Sequence, residues 1–394
     1  MSAERSIGVV GLGTIGVQEL ALWRRAGHGT IGYDTSVARV TTLLAGANGE
    51  SEGATLTSRF ADLESCSVLV LCLPNLDSHG DVSLSSFDRF ADELNQIDTG
   101  DRLIVVASTV PVGFSRSFAQ RLGQHGLQLA HVPERFDPGR GQHLGEIPRV
   151  IGAVTSPALD RAARLYQSAG VTVHPVEPVE VAEASKLLEN SFRLLNIAFI
   201  NEFAALCRRL GISAADVVDA AATKPFAFMA HYPGSGAGGT CIPTMPRYLL
   251  QAAVDHGIEL PILRAALEGN DQLAEQIAAD LDRLLVREGS GRRRVLFVGA
   301  TYKPNYPDVR GSAALLLATQ LNKRHDVVVF DPIADPIQGF DVRRELPAAE
   351  TFDAVVIAVK HKNLDLERLR DLSPVYMDLI RGTLEVKQVW LPTR

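Results

Sequence analysis

A cysteine set among glycines is the first feature of this sequence that could do chemistry. Cys241 stands in Pro233-Gly234-Ser235-Gly236-Ala237-Gly238-Gly239-Thr240-Cys241-Ile242-Pro243, with four glycines within six positions. Glycine lets backbone come close to a ligand and leaves the thiol uncovered. A nucleophilic cysteine also needs a stabilised thiolate, so a cation should stand near it. The competing reading is a cysteine that falls by chance in a flexible loop. Cys66 and Cys72 lie in or beside an apolar strand, and Cys207 in a Leu/Ala-rich helical pattern. Those three read as small buried hydrophobes.

The cation has a candidate. Glu183, Lys186, Asn190 and Arg193 are spaced 3, 4 and 3 apart, so a helix places them on one face. Around them run Leu187, Leu188, Phe192, Leu194, Leu195 and Ile197. Two readings stay open: a solvated face of an amphipathic helix, or the polar wall of a cleft in a helix buried on several sides. In the second, Lys186 could stabilise both a thiolate and a developing oxyanion.

A third cluster points to a dinucleotide. Gly11-Leu12-Gly13-Thr14-Ile15-Gly16 follows a strand-like run and opens a helical one. The glycines permit a tight turn, close approach to a pyrophosphate and close helix–strand packing, and the helix N-terminus supplies free N–H groups. Asp34 lies eighteen residues after Gly16, at the end of the next strand. A carboxylate there accepts from the ribose 2′-OH of NAD and repels a 2′-phosphate. Further rims follow later strands: Ser108-Thr109-Val110, Pro133-Glu134-Arg135-Phe136-Asp137-Pro138-Gly139, and Thr301-Tyr302-Lys303-Pro304 with Asp308-Val309-Arg310. Each alone is an ordinary turn. With the thiol they describe one cleft.

The elements that must hold these residues are legible. Strands are expected at Ile7–Gly11, Gly29–Tyr33, Ser67–Leu73, Arg102–Ala107 and Leu127–His131, with helical patterns between them. That alternation reads as βαβ units on a parallel sheet. From Val179 to Leu210 no Gly or Pro intervenes, which predicts one helix about 48 Å long. Helices follow at Ser213–Ala222, Arg247–His256 and Pro261 to about Val286, with the glycine loop Tyr232–Pro246 between two of them. Glu288–Arg294 reads as a linker. A second α/β pattern then runs through Arg294–Gly299, Ser312–Asn322, Val327–Phe330, Ala354–Val359 and Val375–Asp378. Its first turn has only Gly299, so it should not hold a second dinucleotide in the same way. The fold class is therefore α/β: two Rossmann-like doubly wound domains (1–177 and 289–394) joined by a helical middle domain (178–288) with a long central helix.

Composition narrows the partners. The 394 residues carry a net charge of −7 without a basic block, which argues against nucleic acid and anionic membranes as partners. No apolar run nears the ~18 residues of a membrane span. Strand pattern from Ser6 leaves no room for a secretory signal. The four cysteines show no CxxC spacing, which argues against disulfides or a metal site and fits a cytoplasmic protein.

The ordered set of motifs resembles the UDP-glucose/GDP-mannose dehydrogenase family of four-electron nucleotide-sugar 6-dehydrogenases, from about Ile7 to Asp378. The motifs are Gly11-x-Gly13-x-x-Gly16, Ser108-Thr109-Val110, Pro133-Glu134, Lys186-x-x-x-Asn190, Asn201-Glu202, the glycine loop ending in Cys241, and Lys303 with Asp308-x-Arg310. Pro133-Glu134-Arg135-x-x-Pro138-Gly139 and Glu189-Asn190-Ser191-Phe192-Arg193-x-x-Asn196-Ile197-Ala198-Phe199 are closer to the UDP-N-acetylmannosamine dehydrogenase branch.

The resemblance implies an NAD-dependent oxidation of a UDP-N-acetylhexosamine at C6. A thiohemiacetal and then a thioester form on Cys241, and hydrolysis yields a uronate. It implies catalytic roles for Cys241, Lys186, Asn190, Glu134 and Thr109. Cofactor contacts are implied for Gly11, Gly13, Thr14, Ile15, Gly16, Asp34, Arg39, Pro74, Ser108, Thr109 and Lys303. Substrate contacts are implied for Glu134, Arg135, Lys186, Asn190, Arg193, Tyr232, Gly234, Gly236, Gly238, Lys303 and Arg310. It also implies a homodimer built on the long helix. Two departures stand out. The family usually has an aspartate four residues after the cysteine, where this chain has Met245; Asp137 is the candidate replacement. Pro225-Phe226 stands where the branch often has an arginine. The first departure leaves two alternatives: a two-electron dehydrogenase releasing an aldehyde or ketone, and a silent nucleotide-sugar binding protein. A β-hydroxyacid dehydrogenase would share the NAD domain and long helix but needs neither Cys241 nor a third α/β domain.

Overall fold

The computed structural model describes residues 6–46, 53–77, 82–97, 100–123, 127–137, 144–239, 241–285, 291–346 and 350–387. Pro138, Gly139, Thr240 and positions 288–290 of the expected linker lie outside the described residues. Packing divides the chain into two compact units, Met1–Glu189 with Gln251–His256, and Asn190–Leu250 with Gly257–Arg394.

The first unit is built on β1 (Ile7–Val10), α1 (Thr14–Arg25), β2 (Thr30–Tyr33), α2 (Val37–Leu44), β3 (Thr55–Thr57), β4 (Val68–Leu71), α3 (Ser85–Leu94), β5 (Arg102–Val106), α4 (Phe114–Leu122), β6 (Leu127–His131), β7 (Arg149–Ala153), α5 (Ser156–Ser168) and β8 (Val173–Val176). The sheet order is β3-β2-β1-β4-β5-β6-β7-β8. β1 lies between β2 and β4, with Val10 opposite both Tyr33 and Leu71. The strand ends that carry the glycine loop, Asp34 and Cys72 therefore share one rim, where ligands bind in doubly wound sheets. One face of the sheet is covered by a core including Leu20, Trp23 and Tyr166, the other by Phe87, Phe90 and Phe118. β1, β4 and β5 are buried throughout, as continuously apolar strands under two helix layers should be.

The sheet is longer than the sequence pattern suggests. β7 pairs antiparallel with β6 and parallel with β8, and neither was expected. β7 opens on a charged residue, Arg149, and β8 is Val-His-Pro-Val, whose proline suits only an edge strand.

α6 (Val179–Leu210) has the bounds expected. Gly211 (φ +71°) ends it, and Ile212 N–H donates back to the Cys207 carbonyl at 3.1 Å, the geometry of a left-handed C-cap. One side of α6 is buried through Leu187, Leu194, Ala204 and Cys207. A second side, Leu188, Phe192, Phe199, Leu206 and Leu210, is 45–66% exposed. The helix is thus not covered on nearly every face by its own chain.

The second unit continues from α6 with α7 (Ala214–Ala222), α8 (Met245–Asp255, of which Gln251 onward counts with the first unit) and α9 (Pro261–Leu285). Then come β9 (Arg294–Val298), α10 (Ala313–Asn322), β10 (Asp326–Phe330), β11 (Asp341–Arg343), β12 (Ala354–Ile357), α11 (Leu366–Asp371), β13 (Val375–Asp378) and β14 (Thr383–Val386). Ser213 and Ser312 cap α7 and α10 with their hydroxyls. The sheet order is β11-β10-β9-β12-β13-β14, parallel except for β14. Leu273, Ile277 and Leu281 of α9 pack with α10 on one face of it. Its first turn resembles that of the first sheet: Gly299 has φ +86°, and a Cβ there would stand 2.4 Å from the Val359 carbonyl, as one at Gly11 (φ +92°) would stand 2.5 Å from that of Cys72. The acid after the second strand is used differently. Asp331 is 0% exposed. It accepts from the N–H groups of Ala300, Ile333 and Ala334 and pairs with His361 Nε2 at 3.1 Å. No carboxylate is left there for a ribose, in keeping with the missing fingerprint. Among the described residues no helix is long and apolar enough to cross a membrane.

Candidate active site

In the first unit a cleft of about 450 Å³ opens over the rim, lined by Gly11, Gly13, Thr14, Ile15, Gly16, Asp34, Cys72 and Pro74 among others. The geometry suits a dinucleotide. A Cβ at Gly16 would fall 1.7 Å from the Gly11 carbonyl oxygen, whereas one at Gly13 would meet nothing within 4 Å. Gly16 therefore serves helix–strand packing and Gly13 leaves open space. The N-cap of α1 is Gly13, with no side-chain cap and no acidic residue in the first turn, so the first-turn N–H groups remain for an anion. Asp34 accepts from Leu12 N–H at 2.8 Å and from Ser36 N–H at 2.8 Å. Arg39 Nε donates to the Leu12 carbonyl at 2.7 Å. Acid and arginine thus both brace the glycine loop. Arg89, Phe90 and Glu93 of α3 also line the cleft; no motif marks them.

Behind this cleft stand the residues after β5 and β6. The Ser108 hydroxyl is tied to the Leu73 carbonyl at 2.7 Å, and Asn75 Nδ2 donates to the Thr109 carbonyl at 2.8 Å. Thr109 and Glu134 are 6% and 7% exposed. Glu134 Oε2 accepts from Arg149 Nη1 at 2.7 Å, and its other oxygen accepts from Phe136 N–H. Arg149 Nη2 reaches Glu19 Oε1 at 2.9 Å. Glu19 and Arg149 are wholly buried, and the sequence pattern missed both. A charge beside the apolar run Leu20–Trp23 of a helix, or at a strand start, is the signal they leave. Burial pushes the Glu19 carboxyl from 4.5 up to about 7, against the pull of Arg149. Arg135 bridges Glu189 at 2.6 Å and the Pro148 carbonyl at 3.1 Å.

The polar stripe of α6 divides. Glu183 does not face a ligand: it is 0% exposed, and its carboxylate accepts from Gly113 N–H and Ser115 N–H at the start of α4, where a helix favours negative charge. Lys186 is half-buried and Arg193 exposed. Asn190, 8% exposed, belongs to the second unit, where its Nδ2 lies 2.6 Å from the Met245 sulfur. The residue that departs from the family pattern therefore touches one of the expected catalytic residues.

In the second unit Cys241 is exposed, and its carbonyl accepts from Met245 N–H at 3.0 Å, so it sits one turn ahead of α8. The glycines before it stand close to neighbouring backbone and side chains. They make room for the chain itself. A Cβ at Gly236 (φ +114°) would stand 3.1 Å from Asn270 Oδ1, one at Gly238 3.1 Å from the Gly311 carbonyl, and one at Gly239 3.2 Å from the Tyr302 ring. Asn201 accepts from Gly234 N–H at 2.9 Å, a role for the Asn201-Glu202 motif. Lys303 lies over the rings of Tyr302 and Tyr306, at 5.4 and 5.0 Å. Arg310 forks onto Asp308 with its side chain 75% exposed, and the Tyr232 hydroxyl donates to Asp219 at 2.7 Å. Phe226 is exposed, with Lys224 Nζ 4.9 Å from its ring centre, so a cation does stand beside the position of the missing arginine.

Three family descriptions match in order: the UDP-glucose/GDP-mannose dehydrogenase family NAD binding domain over residues 5–170, central domain over 180–272 and UDP binding domain over 296–381. The UDP-N-acetyl-D-glucosamine 6-dehydrogenase of Pseudomonas aeruginosa is 28% identical over 402 residues, covering 93% of each chain. The UDP-N-acetyl-D-mannosamine dehydrogenase of Pyrococcus horikoshii is 29% identical over 380 residues, 90% of this chain and 89% of that one. The solved structure of a UDP-D-ManNAc dehydrogenase from Pyrococcus horikoshii has a TM-score of 0.84 at 26% identity, over 96% of this chain and 99% of that one.

Proposed function

The chain belongs to the UDP-glucose/GDP-mannose dehydrogenase family, and from that premise we propose that it oxidises the C6 alcohol of a UDP-N-acetylhexosamine to a uronate through a covalent intermediate on Cys241. It is an NAD-dependent oxidoreductase of nucleotide sugars. Bound NAD supplies the hydride acceptor for each of two oxidations. The chain's own residues do the rest. Gly11, Gly13 and Gly16 with Thr14 and Ile15 at the head of α1 hold the pyrophosphate. Asp34, Arg39, Pro74 and Ser108 complete that seat.

The C6 hydroxyl loses its proton as a hydride leaves the C6 carbon, giving the aldehyde. The Cys241 thiolate adds to the aldehyde carbon, forming a C–S bond, and the oxygen takes a proton. Loss of a second hydride and that proton gives the thioester. Water adds to its carbonyl, the C–S bond breaks, and the thiol regains its proton. Lys186 stabilises the successive oxyanions, Asn190 orients the substrate, and Thr109 and Glu134 hold the water. Met245 offers no carboxylate, so we assign the remaining acid–base work to Asp137, three residues after Glu134. Arg135, Arg193, Tyr232, Gly234, Gly236, Gly238, Lys303 and Arg310 are assigned to the nucleotide sugar, and a second copy of the chain to the exposed side of α6. The three expected segments, 1–177, 178–288 and 289–394, would then carry cofactor, chemistry and nucleotide in turn.

One observation carries this reading: of the four cysteines only Cys241 is exposed. The test is a panel of UDP- and GDP-sugars with NAD, products identified by mass spectrometry. A UDP-N-acetylhexosamine should give two NADH per uronate. Cys241→Ser should remove uronate, and Asp137→Asn should slow its release by roughly 10²-fold or more. No NADH with any nucleotide sugar would overturn the proposal. The Met245 sulfur against Asn190 favours a second reading, since a thioether takes no proton. In it the enzyme stops after one oxidation, with one NADH per aldehyde.

A further inference from the structure

The chemistry above uses Glu134 but leaves unexplained the two buried charged residues behind it. Glu19, Arg149 and Glu134 come from α1, the start of β7 and the segment after β6. They form one chain of ion pairs, with Arg149 Nη1 to Glu134 at 2.7 Å and Nη2 to Glu19 at 2.9 Å. One guanidinium faces two carboxylates, so with all three ionised the cluster carries a net negative charge out of water. A buried charge left without a full partner is costly. Among the described residues two titratable side chains interact with the cluster. The Tyr166 phenol of α5 lies on the cluster, its ring centre 5.9 Å from the Arg149 guanidinium carbon. The Cys72 thiol follows β4. Burial pushes both far up, so both stay neutral and lend no charge. Burial raises the Glu19 carboxyl, so the proton that resolves the imbalance sits on Glu19.

Resting on the assignment of Glu134 to the reacting water, we propose that Arg149 is a positioning residue that aims Glu134, and that Glu19, competing for the same guanidinium, sets how firmly it is held. With Glu19 protonated, Arg149 lends its whole charge to Glu134. With Glu19 ionised, the guanidinium is shared between two carboxylates and holds Glu134 less firmly. The turnover of the wild-type enzyme then carries an inflection where Glu19 titrates, near neutral pH.

The experiment is a pH profile of kcat and KM for the full chain as wild type, Glu19→Gln, Arg149→Lys and Glu134→Gln, with NAD affinity by calorimetry and thermal melting alongside. Glu134→Gln should lower kcat by about 10²-fold or more. Arg149→Lys keeps the charge but not the fork. It should lower kcat about 10- to 100-fold while KM and NAD affinity hold. Glu19→Gln should bind NAD as wild type does and lose the neutral inflection. If Arg149→Lys fails to fold, the double variant Glu19→Gln/Arg149→Lys, relieved of one buried carboxylate, takes its place. A Glu19→Gln enzyme that keeps the inflection, or an Arg149→Lys enzyme at wild-type kcat while Glu134→Gln is impaired, overturns this inference alone. Full turnover by Glu134→Gln overturns the assignment of Glu134, and this inference with it.

Discussion

Two glycines in one loop should fail in different ways when given a methyl group. Gly13 has φ −68° and ψ −167°, which alanine adopts freely, and a Cβ there meets nothing. Gly13→Ala should therefore melt as wild type does and bind NAD about tenfold or more weaker, because the methyl fills the space proposed above for the pyrophosphate. Gly16→Ala forces a Cβ to within 1.7 Å of the Gly11 carbonyl. It should cost about 1–3 kcal/mol of stability as well as NAD affinity. Calorimetry and thermal melts on the two variants separate the cases; equal melting points would show that Gly16 is not a packing residue. At this scale the sequence is most legible where function lies in local spacing, as in the fingerprint. It is least legible where partners are distant in the chain. Glu19 and Arg149 stand 130 residues apart, and no periodicity links them. The stripe from Glu183 to Arg193 shows the opposite failure. Its spacing is right for one face, yet Glu183 caps α4 while Asn190 packs on Met245.

α6 makes the same point about elements. Its ends follow from the absence of Gly and Pro up to Gly211, and the helix forms over those residues. Which sides it buries does not follow, because apolar residues fall on nearly every face and blur the 3.6 period. The exposed set Leu188, Phe192, Phe199, Leu206 and Leu210 is spaced 4, 7, 7 and 4, a straight stripe. Beside it Phe192, Asn196, Phe199 and Ile200 line a groove of about 510 Å³ with Phe228 and Met229. A two-fold interface uses the same patch on both copies, and this stripe is the patch proposed above for it. Light scattering should therefore give twice the 42.5 kDa of the chain, and Phe199→Lys with Leu206→Lys should give the monomer. A monomeric wild type would leave α6 without its assigned partner. Of the strands missed (β3, β7, β8, β11 and β14), β8 carries a proline, β7 opens on Arg149, and β3 and β11 have three residues each.

On the scale of the whole molecule, buried ionisable groups in each unit should give stability a pH dependence that variants can dissect. In the second unit burial opposes ionisation of Asp331, yet His361 and the N–H groups of Ala300 and Ile333 hold it down to about 2. A carboxyl with a lowered folded value adds stability above its unfolded value near 4, and the gain is lost as pH falls toward 2. Asp331→Asn should therefore cost stability at pH 7 and less and less below pH 4. In the first unit Glu19 is raised to about 7, so the sign reverses. Its contribution is complete below about 4.5 and is lost as pH rises through 7. His131, wholly buried in β6 and lowered to about 3 by desolvation, works against Glu19, since its contribution is present above 6.5 and lost as pH falls. The bare profile of the wild type thus mixes opposing slopes, and only differences between variants isolate each group. Glu19→Gln should match wild type at pH 5 and exceed it at pH 8.5, by about 3 kcal/mol at most, in chemical unfolding followed at both pH values. Because Gln cannot ionise, the difference must grow across the range in which Glu19 loses its proton. A gap as large at pH 5 as at pH 8.5 would mean that Glu19 stays ionised throughout, and that Arg149 satisfies both carboxylates at once.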